Sequence, residues 1–431
     1  MRVLYSAALY LAMPAVLARL GWRGLGNPGY WQHLGERFGY VRGVPKMGRR
    51  VWFHAVSVGE VHAAIPIILA LTGARPELEV WLTTMTPTGR ERARQVLGDR
   101  AVITFVPYDV PGAVARFVRR ATPDLLVIME TEIWPNLIAA CERWQIPVVL
   151  ANARLSERSQ AGYRRLSSLA RETLNRLSVC TAQTQADGAR LVELGLPAQR
   201  LMVTGSVKFD VAIPASVRER GQALRRLWGT DRGVLIAAST HEGEEALVLR
   251  AFARVLDTYP STLLVWVPRH PERFGRVAAL ARRQGFKTVL HSQAPRDCAH
   301  AQVYVGDTMG DLTTFYAGSD LAFVGGSFVD IGGHNVLEPA ALGVPVLTGP
   351  NVRNFADIIA RLCCEQAAAI VTSGDALVAA VLHWLADANA RHQAGQKGSG
   401  FVQRNRGALA RVQQVLEAQL GGGETRCAAH E

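Results

Sequence analysis

The sequence predicts an α/β protein built as two doubly wound, Rossmann-like halves facing a cleft, preceded by a membrane-anchor helix. Three observations carry that expectation. The 431 residues exceed what one ordinary core accommodates, so two domains are the natural division. Short, wholly apolar runs alternate with helical stretches of about ten residues, the pattern of a parallel sheet covered on both faces. The alternation pauses near residues 206–216 and then restarts.

The elements follow in order. In the first half the expected strands are "VWFHAVS", "EVWLTT", "AVITFVP", "DLLVIME", "IPVVLANA", "LSVCTAQ" and "RLMVTGS". Between them "GRERARQVL", "PGAVARFVRRA", "NLIAACERW", "YRRLSSLARETLNRL" and "QADGARLVELG" are expected helices. The second half repeats the scheme with "GVLIAAS", "TLLVWVP", "KTVL", "VYVGD", "DLAFVGGS", "VPVLTGP" and "AAIVTS" as strands. Ligands of such sheets sit beyond the carboxyl ends of the strands. No GxGxxG follows the first strand and no GxxxxGK[ST] occurs, which disfavours dinucleotide redox and P-loop chemistry.

The net charge of +12 is unevenly placed. Residues 1–50 hold eight Lys/Arg against one acid, Glu36, so +7 of it lies at the amino end. That distribution suits a basic end meeting an anionic surface, and no zinc-finger spacing, RNP-like strand or basic helical repeat points to nucleic acid. Sixteen uncharged residues separate Arg2 from Arg19; a helix of that length rises roughly 24 Å, with Pro14 inside it. Tyr5, Tyr10, Trp22, Tyr30 and Trp31 interleave with arginines as interfacial anchors do. A membrane anchor or interfacial helix is expected, with the arginines after residue 18 keeping the body on the cytoplasmic side. The six cysteines form no CxxC pair and read as reduced thiols. None of the eleven histidines forms HxxxH or HExxH, so no metal site is expected.

Most of the chemistry concentrates in "FVGGSFVDIGGHNVLEPAALGVPVLTGP", residues 323–350. A strand runs into a glycine-rich turn and then into the helix "NVLEPAAL", whose free N–H groups are expected to form an anion site. Glu338 in the first turn offers a carboxylate to ribose hydroxyls, or simply complements the helix dipole. Pro268-Arg269 ends "TLLVWVP", where the guanidinium can meet a phosphate bidentately. "DTMGDL" places Met309, Gly310 and Asp311 at a strand-to-helix turn, with Asp307-Thr308 as an alternative helix cap. In the first half, Glu130 and Glu132 end the strand "DLLVIM", and Lys208 falls in the linker.

These segments resemble the Kdo (3-deoxy-D-manno-octulosonic acid) transferases of Gram-negative bacteria, an inverting glycosyltransferase family of the GT-B type. The resemblance runs through "FHAVSVGEVHAAIPI", "TTMTPTGRERA", "VPYDVPGAVARF", "METEIWPNLI", "NARLSERS", "VTGSVKFD", "ASTHEGEE", "VPRHPERF", "GDTMGDL" and the 325–350 stretch, in order along nearly the whole chain. It implies transfer of Kdo from CMP-Kdo to a tetraacyl lipid A precursor at the cytoplasmic face of the inner membrane, with no metal or other cofactor. It further implies Glu60 as general base and Glu130 and Lys208 as transition-state helpers. Pro268, Arg269, Met309, Gly310, Asp311, Asn335, Val336, Leu337 and Glu338 would bind CMP. Val336 stands where the family is expected to carry proline, and Asp311 where it is expected to carry glutamate. The implied domains are a 1–22 anchor, a 23–206 acceptor-binding domain with the base, and a 207–431 donor domain whose last helix packs back on its predecessor.

Glu60 has two readings. Ser57-x-x-Glu60 fits a capping box, which would make the acid structural. Its place at the end of the first strand, the permissive Gly59 beside it, and the match to the family's base-bearing segment favour catalysis. A UDP-sugar transferase or 2-epimerase would keep the fold and change the donor. A non-catalytic binder of anionic lipid would explain the amino end but leave Glu60 and Arg269 idle.

Overall fold

The computed structural model describes residues 1–293 and 298–421. It divides into two compact units: Met1–Asp210 with the returning segment from Arg406, and Val211–Asn405.

The first unit carries seven strands: β1 (Arg50–His54), β2 (Glu79–Thr84), β3 (Ala101–Phe105), β4 (Leu125–Met129), β5 (Val148–Ala153), β6 (Val179–Ala182) and β7 (Leu201–Val203). All pair in parallel in the order β3-β2-β1-β4-β5-β6-β7, so the chain reverses its direction of winding between β1 and β4. Successive side chains serve opposite faces of the sheet. Val51, Phe53, Val80, Leu82, Val127 and Met129 meet the helices Val58–Ala74 and Ala408–Gly421 on one face. Trp52, Trp81, Leu126 and Ile128 meet Pro111–Ala121 and Pro135–Arg143 on the other. The buried tryptophans find partners on the neighbouring strand: Trp52 donates to Thr83 at 2.8 Å and Trp81 to Thr104 at 2.9 Å.

A carboxylate and an arginine stitch the returning segment to this unit, Arg411 donating to the Thr204 carbonyl at 2.7 and 2.9 Å. Asp210 accepts from the N–H groups of Gly407 at 2.6 Å and Leu409 at 2.7 Å, capping the helix Ala408–Gly421. That helix buries Val412, Val415, Leu416 and Leu420 in the first core.

The second unit repeats the scheme with β8 (Val234–Thr240), β9 (Leu263–Pro268), β10 (Thr288–Leu290), β11 (Val303–Val305), β12 (Leu321–Val324), β13 (Val346–Thr348) and β14 (Ala368–Ile370). Their parallel order is β10-β11-β9-β8-β12-β13-β14, with the reversal between β8 and β12. Every strand expected from the apolar runs is present. Two doubly wound parallel sheets are the GT-B fold class read from the sequence.

Two local expectations give way. "YRRLSSLARETLNRL" is not one helix: it divides between Glu157–Arg164 and Ser167–Leu174, with Leu166 at φ −121° and ψ 40° between them. The first piece is tied outward, Gln160 to Glu193 and Tyr163 to the Thr131 carbonyl, whereas the second buries Leu169 and Leu174 in the core. At the amino end the helix runs Arg2–Gly26, long and apolar enough to cross a membrane and about 37 Å in rise. Tyr5 is not an outward anchor, because its hydroxyl donates to Asp109 at 3.0 Å. Ser6 bonds Asn136 at 2.9 Å, and Leu9, Met13 and Val16 pack against Tyr108, Val110 and Ala113. The opposite flank leaves Val3, Leu4, Leu11, Trp22 and Leu25 exposed.

Candidate active site

In the first unit the functional side chains gather at the carboxyl ends of β1 and β4, the neighbouring strands at the winding reversal. Such a switch point opens a crevice because adjacent connections leave in opposite directions. After β1, Ser57 and Glu60 form a variant of the capping box, with the carboxylate reaching the residue before the cap. The Ser57 hydroxyl accepts from the Glu60 N–H at 3.3 Å and donates to Glu60 Oε1 at 3.0 Å, while Oε2 accepts from the Val56 N–H at 2.7 Å. Both readings of this acid therefore have physical content. Glu60 is 9% exposed. Burial, and then the charge of Glu132, push its pKa up to about 8 against those bonds, into the range where a carboxylate is an effective base.

Glu130 follows β4 with φ 55°, a left-handed backbone that costs a non-glycine residue on the order of 1–3 kcal/mol. Its Oε1 lies 3.4 Å from Lys208 Nζ, so the chain brings together two residues 78 positions apart. Glu132 accepts from the Trp134 indole at 2.8 Å, and burial raises its pKa, with Glu130 adding to the effect. Trp134 in turn stands edge-on to His54, whose ring is fully buried and held neutral, its pKa lowered to about 3. Asn152 in β5 is also left-handed, at φ 53°, and its Oδ1 accepts from the Val207 N–H at 3.2 Å, setting the turn that carries Lys208. The sequence analysis assigned no role to Asn152 or Trp134. The available signal was an amide inside an apolar strand, "VVLANA".

In the second unit, β11, β9, β8 and β12 present their carboxyl ends side by side. Pro268 is buried at the end of β9, and Arg269 stands exposed, its N–H bonded to the Thr240 carbonyl at 3.0 Å. One strand over, Met309 is 66% exposed, Gly310 has φ 95°, and Asp311 accepts from the Thr308 hydroxyl at 2.7 Å. Asp307 does not cap the following helix: its carboxylate takes the N–H and hydroxyl of Ser292 at 2.8 and 2.5 Å.

The glycine-rich stretch differs from expectation in where its N–H groups go. The helix is only Leu337–Leu342, and the Leu337 N–H is already taken by Asn335 Oδ1 at 3.0 Å. The Gly326 N–H turns inward to Glu244 Oε2 at 2.7 Å. This loop therefore keeps two of the N–H groups expected to meet an anion engaged within the protein. It provides side chains: Asn335 Nδ2 holds Glu338 Oε1 at 2.9 Å, and the Arg269 guanidinium restrains the rise that burial imposes on the Glu338 pKa. Val336 and Leu337 are fully buried, backbone and side chain alike. Glu244, fully buried with its pKa pushed up to about 7 by burial, is a further residue the sequence analysis missed. In sequence it is one of three acids in "HEGEE", with no local feature that marks it for burial. Among the described residues no group of three His, Cys, Asp or Glu side chains is placed to hold a metal ion.

Comparison with known proteins matches this arrangement to one family. A profile described as 3-deoxy-D-manno-octulosonic-acid transferase (kdotransferase) covers residues 32–211. A 3-deoxy-D-manno-octulosonic acid transferase of Haemophilus influenzae is 39% identical over 97% of this chain and 99% of its own. One from Bordetella pertussis is 35% identical over 97% and 100%. In fold alone, the chain is similar to a UDP-GlcNAc 2-epimerase from Neisseria meningitidis, at TM-score 0.54 and 14% identity over 86% of this chain and 99% of that one. Near-complete coverage at that identity, on a pair of doubly wound sheets, places this chain in the 3-deoxy-D-manno-octulosonic acid transferase family.

Proposed function

We propose that the protein transfers Kdo from CMP-Kdo to a tetraacyl lipid A precursor, with inversion at the anomeric carbon, in lipopolysaccharide inner-core synthesis. The observation that carries this reading is the acid cluster at the β1/β4 reversal: a buried carboxylate tuned to about 8 beside a second acid paired with a lysine.

The chemistry follows from charge. An acceptor hydroxyl attacks the anomeric carbon, its proton passes to the Glu60 carboxylate, and the bond to the CMP phosphate breaks with its electron pair leaving on CMP. The sugar passes through a cationic state, which Glu130 stabilises as an anion, while Lys208 faces the developing negative charge of the donor. Arg269 binds the phosphate, Asn335 and Glu338 meet the ribose, and Met309 to Asp311 border the cytosine. No step in this scheme calls for a metal.

The acceptor carries phosphates and acyl chains, which suits the basic amino end and the exposed apolar flank of the helix Arg2–Gly26. Because its other flank packs on the first unit, we read that helix as lying in the cytoplasmic leaflet of an anionic inner membrane rather than crossing it. Purified protein given CMP-Kdo and the tetraacyl precursor yields a product heavier by one or more Kdo units, with inverted anomeric configuration by NMR. Absence of transfer, or equal inhibition by CMP and UDP, overturns the donor assignment.

A further inference from the structure

At the winding reversal of the second sheet stand two histidines, 93 residues apart in sequence, to which neither the family motifs nor the reaction above gives a task. His241 follows β8 and His334 follows the glycine loop after β12. Their Nε2 atoms are 2.7 Å apart, and the two ring planes lie within 7° of each other. At that distance one nitrogen donates a proton to the lone pair of the other, so the neutral rings hold opposite tautomers. The backbone is shaped to allow it: Gly326 has φ 68°, and a Cβ there would meet the His334 ring at 2.7 Å. Neither ring is core packing, since both are only partly buried and lie beside the exposed Arg269.

We propose that His241 and His334 act as one proton-sharing pair that grips the phosphate of the nucleotide donor beside Arg269, and that the pair takes up a proton from solvent when the phosphate binds. This rests on the reading of the second unit as the donor site. The titratable and charged groups facing the pair are Arg269, His270 and Arg273 from the segment after β9 and Glu245 from the helix Glu245–Thr258. Burial and the cationic majority hold both imidazoles neutral in the free protein, His334 with its pKa lowered to about 3. An incoming phosphate supplies the negative charge those cations lack. The added proton leaves an Nδ1–H donor on each ring, and the two can bond phosphate oxygens with charge assistance.

The test is calorimetric titration of the full-length protein with CMP near pH 7, in two buffers of different ionisation enthalpy, repeated with cytidine. Wild type is expected to take up protons with CMP and none with cytidine. His241→Gln and His334→Gln are expected to bind CMP about tenfold more weakly, the loss of a charge-assisted bond. Both are also expected to lose the wild-type weakening of CMP binding between pH 6 and 8. Thermal unfolding identifies any variant that fails to fold, and the other then decides. Unchanged proton uptake and affinity in a folded variant overturns the pair's role while leaving the donor reading intact. Wild type that binds UMP and not CMP overturns the donor reading and the inference together.

Discussion

The two winding reversals share a topology and differ in chemistry. Between β1 and β4 lie Glu60, Glu130 and Glu132, with Lys208 paired to Glu130. Between β8 and β12, and on the adjoining β9, lie His241, His334, His270 and Arg269. In the proposed reaction the first crevice removes a proton and favours a cation, and the second holds an anion. The doubly wound sheet supplies the opening in both cases, and the side chains at the strand ends alone set its task. Burial is used in opposite senses as well: it raises the Glu60 carboxyl toward basicity and lowers the histidines toward neutrality.

The largest expected break in this contrast is Glu60→Gln. Transfer falls by about 10³-fold, the loss of a general base, while CMP affinity stays near wild type in a binding titration. In wild type the rate rises with pH up to about 8, where Glu60 gives up its proton, and the variant lacks that limb. Stability has the opposite slope. The fold favours the protonated acid, so its contribution is fully present below the ordinary carboxylate range and is lost as pH rises through about 8. Chemical denaturation from pH 5 to 9 is expected to show that loss in wild type and not in the variant.

On the other side of the comparison, Arg269→Gln weakens CMP binding by about 10–100-fold, the value of a charge-assisted pair. Single-turnover transfer at saturating donor falls less. Equal losses in binding and chemistry would merge the two roles that the crevices keep apart.

A smaller effect sharpens the meaning of strain. Glu130→Gly relieves a left-handed backbone and is expected to hold or raise the unfolding free energy, by up to about 1 kcal/mol, while transfer at saturating donor falls by about 10²-fold. A variant that is both destabilised and active would make Glu130 structural. The smallest effect lies outside both crevices: Asp210→Ala removes a cap from the helix Ala408–Gly421 and costs about 1–2 kcal/mol in urea denaturation. Its transfer kinetics at 25 °C are expected to match wild type.

The sequence by itself determined the strands, because parallel strands buried on both faces are written as unbroken apolar runs such as "DLLVIM" and "TLLVWV". It also placed Glu60, Glu130 and Arg269 at strand ends, where α/β ligands lie, and Glu338 in the first turn of a helix. Local hydrogen bonding was legible in part: Ser57-x-x-Glu60 reads as a capping box, and the Ser57 half folds as one while the Glu60 carboxylate reaches the Val56 N–H one residue earlier. The destination of the glycine-loop N–H groups was not, because Gly326 bonds Glu244, 82 residues earlier. Only the tertiary structure decided strand order, and with it which strand ends are neighbours. Period and propensity act over a few residues, whereas Glu130 meets Lys208 and His241 meets His334 through sheet pairing that no local pattern encodes. For the same reason Tyr5 reads as a membrane anchor in sequence and becomes a hydrogen-bond donor to Asp109 in the fold. A buried carboxylate 104 positions away, its pKa raised to about 7 by burial, competes for that hydroxyl and holds it.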